Sequence, residues 1–316
     1  MLYYFAPLEG ITGYTFRNIY EKHYGGLDAY YSPFVVTRDG GVMKQKELKD
    51  ILPENNKTVN LIPQILTNQS ANFLQAAGQM TELGYKEVNL NVGCPSGTVV
   101  GKGRGAGFLK DLEKLDQFLY EIFEHVRCDV SVKTRIGVWE PDEFFEILEI
   151  YNKYPIKELI IHPRTRKEFY KGEPHIDSFR YGYETSKNPI CYNGDLRTFQ
   201  DIDRKEKEFP NLHAVMAGRG LLARPGFMSH KTLFATIEEE KKRLQLFIDE
   251  LTLAYQEVLS GDTHLLHKMK ELWIHIAPQF EDSEKYLKKI KKANKFEQYQ
   301  ETVERLFADK QLVTSK

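Results

Sequence analysis

The sequence predicts an α/β fold, a (β/α)8 TIM barrel followed by a small C-terminal helical bundle, and three observations lead there. Short apolar runs alternate with longer amphipathic stretches, the pattern of repeated βα units around a parallel sheet. The alternation supplies eight strand-like runs, which fits a closed barrel better than an open doubly wound sheet. After Gly226 the strand signal stops and only helical periodicity continues. The 316 residues therefore divide into a barrel over 1–240 and a helical domain over 241–316.

Strands are expected near residues 2–7, 28–36, 59–66, 87–93, 129–136, 158–163, 189–194 and 213–218. The first opens on Met1-Leu2-Tyr3-Tyr4-Phe5, without the basic stretch of a secretion signal. Between the strands, helical periodicity covers 71–83, 112–126, 142–154 and 198–209. In the tail, Leu244, Phe247, Ile248, Leu251 and Tyr255 recur at helical spacing. Breaks at Ser260-Gly261-Asp262 and at Pro278 divide it into three or four helices.

Composition narrows the function classes. A hydrophobic fraction of 41% supports a real core. The net charge is −1, because 44 Lys+Arg nearly cancel 45 Asp+Glu, so any nucleic-acid contact must come from a local patch. Three scattered cysteines (Cys94, Cys128, Cys191) make neither a disulfide framework nor a zinc knuckle. No apolar run approaches the roughly 18 residues of a membrane helix. The expectation is a cytoplasmic enzyme with no membrane association and no obligate protein partner in evidence.

Strand alternation then sorts the barrel's faces. Asn89 and Asn91 share one face, Ser131, Lys133 and Arg135 another, and Gln64 stands alone between Pro63 and Ile65. The same pattern recurs in Leu159-Ile160-Ile161-His162-Pro163-Arg164 and puts Asn193 and Asp195 together. These polar groups gather toward the strands' C-terminal ends, where barrel enzymes keep their sites. In any one strand such groups are explained by an internal hydrogen-bond network or a solvated rim. Five strands showing them at one level point to a polar ligand in the mouth.

Two further signals are more specific. Asn193-Gly194-Asp195 and Gly218-Arg219-Gly220 follow the last two strands, the usual phosphate-binding corner of such barrels. Glycines let backbone amides approach phosphate oxygens, and Arg219 adds a charge-assisted contact. Asn91-Val92-Gly93-Cys94-Pro95-Ser96 ends the fourth strand and opens a Gly-rich loop. A lone cysteine is commonly a small buried hydrophobe. In a Gly/Pro-framed turn at a barrel mouth it is instead presented, and a neutral thiol can donate a proton.

The combined pattern resembles the tRNA-dihydrouridine synthase family. The matching pieces are Ala6-Pro7-Leu8-Glu9-Gly10-Ile11-Thr12, Asn91 through Pro95, Lys133-Thr134-Arg135, His162-Pro163-Arg164-Thr165, Asn193-Gly194-Asp195 and Gly218-Arg219-Gly220. They cover residues 1–220 in the family's order and spacing, and the loop and Tyr170 look most like the bacterial branch typified by the synthase called DusC. Leu8 stands where the family usually has methionine, Gly13 where it has aspartate, and Pro163 replaces a common small residue.

The resemblance implies a barrel holding FMN, recharged by NADPH, that reduces uridine in tRNA to 5,6-dihydrouridine. By matching position, Pro7, Leu8 and Glu9 line the flavin, Gln64 and Lys133 bond its polar ring edge, and His162 sits beside flavin or substrate. Asn193, Gly194, Asp195, Gly218 and Arg219 surround the ribityl phosphate. Asn91, Arg135 and Tyr170 hold the flipped uracil, and Cys94 is the acid. The alternative is a flavin barrel reducing a free small molecule, of the pyrimidine dehydrogenase or ene-reductase type. A third reading is a non-catalytic RNA-binding protein on a flavin fold.

The remaining motifs are weaker. Gly101-Lys102-Gly103-Arg104-Gly105-Ala106 formally matches a dinucleotide fingerprint but follows a Pro/Gly loop, not a clean strand. Lys102 and Arg104 are read either as solvated cations or as RNA contacts on a mobile loop. His264, His267, Glu271 and His275 share a helical stripe but lack a His-Glu-x-x-His pattern, so no metal site is expected. Lys285, Lys288, Lys289, Lys291, Lys292 and Lys295 crowd one short segment. Lys285, Lys288, Lys289 and Lys292 are the candidates for a basic ridge against RNA phosphates.

Overall fold

The computed structural model describes residues 1–37, 43–229 and 236–313. Its strands are β1 (Leu2–Phe5), β2 (Ala29–Tyr31), β3 (Val35–Val36), β4 (Leu61–Ile62), β5 (Gln64–Leu66), β6 (Glu87–Val92), β7 (Asp129–Arg135), β8 (Leu159–His162), β9 (Ile190–Tyr192) and β10 (Ala214–Ala217). All pair in parallel, in the order β3-β5-β6-β7-β8-β9-β10-β1-β2-β4. The two ends of that order are the same two chain segments. β2 continues into β3 through residues 32–34, and β4 into β5 through Pro63, so the ladder returns on itself. Eight segments close a cylinder.

The two segments expected as single strands over 28–36 and 59–66 are each broken in two. Pro63 has no N–H for the ladder, although its carbonyl accepts from the Asn89 N–H at 2.9 Å. In the other segment the Ser32 hydroxyl takes the Gln64 N–H at 3.0 Å, replacing a strand-to-strand bond where Pro33 follows.

Alternation along each strand builds two apolar layers. Tyr4, Ala6, Tyr31, Ile62, Ile160, Cys191, Ala214 and Met216 point inward and pack together. Their neighbours Tyr3, Phe5, Leu159, Ile161, Tyr192 and Val215 point outward into the core shared with the helices. The inward apolar set plugs the lower cylinder, and the polar residues sit above it.

The helices are α1 (Tyr14–His23), α2 (Gln45–Ile51), α3 (Ser70–Glu82), α4 (Gly97–Val100), α5 (Leu112–His125), α6 (Phe144–Tyr151), α7 (Ile176–Thr185), α8 (Phe199–Glu208) and α9 (Arg219–Ala223). The tail adds α10 (Ile237–Val258), α11 (Asp262–Ile276), α12 (Glu284–Lys292) and α13 (Phe296–Asp309). α6 is shorter than its periodicity predicts. Pro141 starts a 3-10 turn there, and the Glu143 carboxylate accepts from the N–H groups of Val138, Trp139 and Glu140. α10 begins ahead of residue 241 because Thr236 and Glu239 form a capping box.

α10 docks on α1, with Phe247 edge-on to Phe16 at 5.7 Å and Arg243 donating to the His23 carbonyl at 2.9 Å. α11 crosses the loop after β1, where Lys268 donates to the Gly10 carbonyl. Among the described residues no helix is long and apolar enough to cross a membrane.

Candidate active site

Strand register assembles the mouth. Gln64 lies beside Asn89, Asn91 beside Lys133, and Arg135 beside His162 on neighbouring strands. A relay of amides fixes their orientation. Asn89 donates to the Ser131 hydroxyl at 2.9 Å, Gln64 to Asn89 at 2.7 Å, and Asn91 to Gln64 at 2.7 Å. The free Asn91 oxygen then accepts two backbone donors, Gly93 N–H at 3.0 Å and Cys94 N–H at 2.9 Å. Arg135 closes the turn from the other side, donating through Nε to the Gly93 carbonyl at 2.9 Å and through Nη1 to Thr165 at 2.8 Å. The turn that presents Cys94 is thus held through the N–H groups of Gly93 and Cys94 and through both their carbonyls, the Cys94 carbonyl accepting from Ala106 at 3.0 Å.

Cys94 is partly exposed. Burial pushes its thiol pKa up, against the opposing pull of the Ser96 backbone, Arg135 and Lys133. It stays protonated at neutral pH. Beside it stand two cations, Arg135 buried and Lys133 half-buried. Burial, then the Arg135 charge, lowers Lys133 to about 8. Burial draws Arg135 down to about 10, which leaves it charged. His162 goes well below the usual histidine range, first through burial and then through Arg135, Lys133, Arg164 and Arg219. It is neutral.

The corner after β9 and β10 is built by close packing. A Cβ at Gly194 would overlap the Tyr192 hydroxyl, and one at Gly220 would overlap the Leu196 carbonyl. Asn193 is fixed by donation to the Met216 carbonyl at 2.8 Å. Asp195 accepts from Arg164 at 2.5 Å and from Arg219 at 2.9 Å. Burial alone would raise its pKa, but the two arginines hold it below the usual carboxylate range. Tyr170 lies against Arg219 at 4.5 Å, Arg135 at 5.3 Å and the His162 ring at 5.9 Å.

One cavity collects the residues expected to be catalytic, cofactor-binding or substrate-binding. Pro7, Leu8, Glu9, Gln64, Asn91, Cys94, Lys133, Arg135, His162, Tyr170, Asn193, Gly194, Asp195, Gly218 and Arg219 all line it. It holds about 840 Å³ of empty space, open solvent at the mouth included.

The expected RNA contacts lie elsewhere. Lys102 is exposed and Arg104 half-buried on the turn after α4, where Asn68 donates to the Lys102 carbonyl at 3.1 Å. That glycine run leaves α4 in a turn and enters a 3-10 helix at Gly105. Lys285, Lys288, Lys289 and Lys292 are exposed and line a separate groove with Gln298, Thr302 and Arg305 between α12 and α13. The histidine stripe of α11 divides: His264 and His267 are exposed, whereas Glu271 faces Gly10 and His275 feels the Arg219 charge.

Four supporting residues had no role assigned from the sequence. Asn89 and Ser131 were legible as inward residues, but their relay to Asn91 depends on register. Thr12 holds the Leu8 N–H at 2.8 Å. Arg164 showed the right alternation beyond His162 without revealing what it holds.

A family model described as "Dihydrouridine synthase (Dus)" matches residues 4–315. The chain belongs to the dihydrouridine synthase family. It is an oxidoreductase of that family. It is 32% identical over 230 residues to the tRNA-dihydrouridine(16) synthase of Escherichia coli K12, covering 70% of this chain and 72% of the relative. It is 27% identical to a probable tRNA-dihydrouridine synthase of Rickettsia conorii, over 80% of this chain and 77% of the other. Among solved structures, morphinone reductase superposes with a TM-score of 0.50 at 13% identity, over 72% of this chain and 84% of the other. That likeness speaks for the barrel fold alone.

Proposed function

We propose that this dihydrouridine synthase reduces uridine in tRNA to 5,6-dihydrouridine in the cytoplasm, using FMN in the barrel and NADPH as reductant. Residues 1–240 act as the catalytic barrel and 241–316 as the tRNA-gripping domain. The observation that carries the reading is the Cys94 thiol sharing one cavity with Lys133, Arg135 and Arg219 in a chain that matches this family from residue 4 to 315.

The cavity's chemistry fits a flavin phosphate. Lys133, Arg135 and Arg219 outnumber the carboxylates Glu9 and Asp195 along its wall, so an anionic ligand relieves their mutual repulsion. Gly194 and Gly220 let the two turns of the corner pack tightly, against the Tyr192 ring and the Leu196 carbonyl. Arg219 would meet the phosphate, since the Asp195 carboxylate is committed to two arginines and like charges repel. Pro7, Leu8 and Glu9 would line the flavin ring, Gln64 and Lys133 would bond its polar edge, and Asn193 and Gly218 would flank the ribityl chain.

When bound, reduced FMN supplies a hydride to carbon 6 of uracil and is itself recharged by NADPH. The chain's own residues do the rest. Tyr170 stacks on the extruded base, and Asn91 and Arg135 bond its polar edge. Arg135 stabilises the charge that develops toward the carbonyl oxygen. Cys94 gives its proton to carbon 5, completing the addition of two hydrogens across the double bond, and the thiolate recovers a proton from solvent. Arg135 and Lys133 stabilise that transient thiolate. Lys102, Arg104 and the α12–α13 lysines contact RNA phosphates.

The test combines two measurements. The purified protein should be yellow and should form dihydrouridine in tRNA with NADPH. Mapping dihydrouridine in RNA from cells lacking the protein should show loss at defined positions. A colourless protein, or a dihydrouridine map unchanged by the deletion, would defeat the reading.

A further inference from the structure

Arg164 is a buried charge that the proposed chemistry leaves without a role. Its side chain is fully buried, and a guanidinium in that position is costly unless its donors are met. Here they are met on every nitrogen. Nε donates to the Lys171 carbonyl at 3.2 Å, and Nη2 to the Gly172 carbonyl at 2.6 Å and Asp195 Oδ2 at 2.5 Å. Nη1 reaches Asp195 Oδ1 at 3.1 Å and His162 Nε2 at 3.1 Å.

A guanidinium only donates, so His162 Nε2 must be the acceptor. The imidazole is therefore neutral with its proton on Nδ1. The charges around it agree: Lys133, Arg135, Arg164 and Arg219 all disfavour imidazolium, and Tyr170 is the neighbouring ring. No described hydrogen bond uses Nδ1, and His162 lines the cavity. The same guanidinium grips Asp195, whose Oδ1 also holds Arg219 at 2.9 Å. Its last two contacts are the carbonyls of the two residues that follow Tyr170.

We propose that Arg164 is a positioning residue that sets three cavity-facing groups from behind: the Nδ1–H tautomer of His162, the Asp195-anchored guanidinium of Arg219, and the loop carrying Tyr170. It acts through them and is absent from the cavity wall. The flavin and uracil reading supplies only what those groups contact; the arrangement of the three stands apart from it. Lysine keeps the charge but offers a single point in place of a fork, so it serves as the test substitution.

Histidine 15N NMR of the full-length protein without added cofactor reads the tautomer directly. His162, identified by the resonance lost in H162N, should be neutral with its proton on Nδ1 from about pH 5 to pH 8. An imidazolium or an Nε2–H tautomer in that window overturns the proposal, and this measurement needs no Arg164 variant to fold. In R164K the Nδ1–H signature should be lost. FMN should bind on the order of 10-fold more weakly, as expected for one lost charge-assisted bond. kcat/KM for tRNA should fall on the order of 100-fold, as expected for about 1 Å of misplacement. Wild-type tautomer and wild-type FMN affinity together in R164K would overturn the proposal. If wild-type protein bound no FMN, the flavin reading would fail while the tautomer would still judge Arg164.

Discussion

A thiol surrounded by cations usually ionises early, yet at Cys94 burial outweighs Arg135 and Lys133 and the pKa moves upward. The sign matters for an acid. A raised pKa keeps the donor protonated through neutral pH, and activity is lost only as pH climbs through that raised value. The alkaline limb of kcat should therefore lie above the ordinary thiol value of about 8.5. C94A should lose dihydrouridine formation by roughly 10²–10⁴-fold, the usual share of a general acid, while keeping bound flavin. Full activity in C94A would remove it from the mechanism. Lys133 gives the opposite handle. At a pKa of about 8 it loses its charge as pH rises past that point, whereas an anionic ligand favours the protonated form. Flavin binding near pH 8 should take up protons, and affinity should fall between about pH 8 and the ordinary lysine value of about 10.4. Calorimetry in two buffers of different ionisation enthalpy checks both statements.

At the level of strands and loops, period-two alternation carried most of the information. Ile160 and His162, or Cys191 and Asn193, share a face in the sequence and in the cylinder because a strand permits no other arrangement. What stayed hidden was set by partners from other segments. The break at Pro63, the split beside Ser32 and the relay from Ser131 to Asn91 all depend on which residue sits opposite. Arg164 is the clearest case, since its partners Lys171, Gly172 and Asp195 belong to two loops that alternation does not describe. The glycines of the turns after β9 and β10 test the packing argument. G220A drives a methyl into the Leu196 carbonyl, and overpacking of this kind costs about 1–3 kcal/mol. It should lower Tm and weaken flavin binding together. G78A is the contrast, because Gly78 is exposed on α3 with open space around its missing Cβ. That change should stabilise the protein by up to about 1 kcal/mol and leave activity untouched. Equal effects from the two substitutions, read by thermal melts and flavin titration, would mean that the corner is not close-packed.

Across the whole molecule, a net charge of −1 gives RNA no general attraction. Affinity must then come from local surfaces, and the α12–α13 groove is the one proposed above. The helical tail was legible from periodicity, and the lysine cluster from composition. Which uridine reaches the cavity was not legible; on the proposed reading it is set by how α10 and α11 dock the tail on the barrel. That geometry arises from contacts such as Phe247 on Phe16 and Lys268 on Gly10, which no short motif announces. The groove itself makes a quantitative claim. Lys285, Lys288, Lys289 and Lys292 are exposed and take part in no described ion pair or hydrogen bond, so reversing their charge should leave the fold and the flavin unchanged. Each phosphate contact contributes about 0.7–0.9 to the slope of log affinity against log salt. Replacing all four lysines by glutamate should reduce that slope for tRNA by about 2–4 and raise KM, with kcat at saturating tRNA held near wild type. A slope equal to wild type would assign the groove to ordinary solvation and leave the RNA track to other cations. A fall in kcat with KM unchanged would place these lysines in the chemistry, which their separation from the cavity argues against.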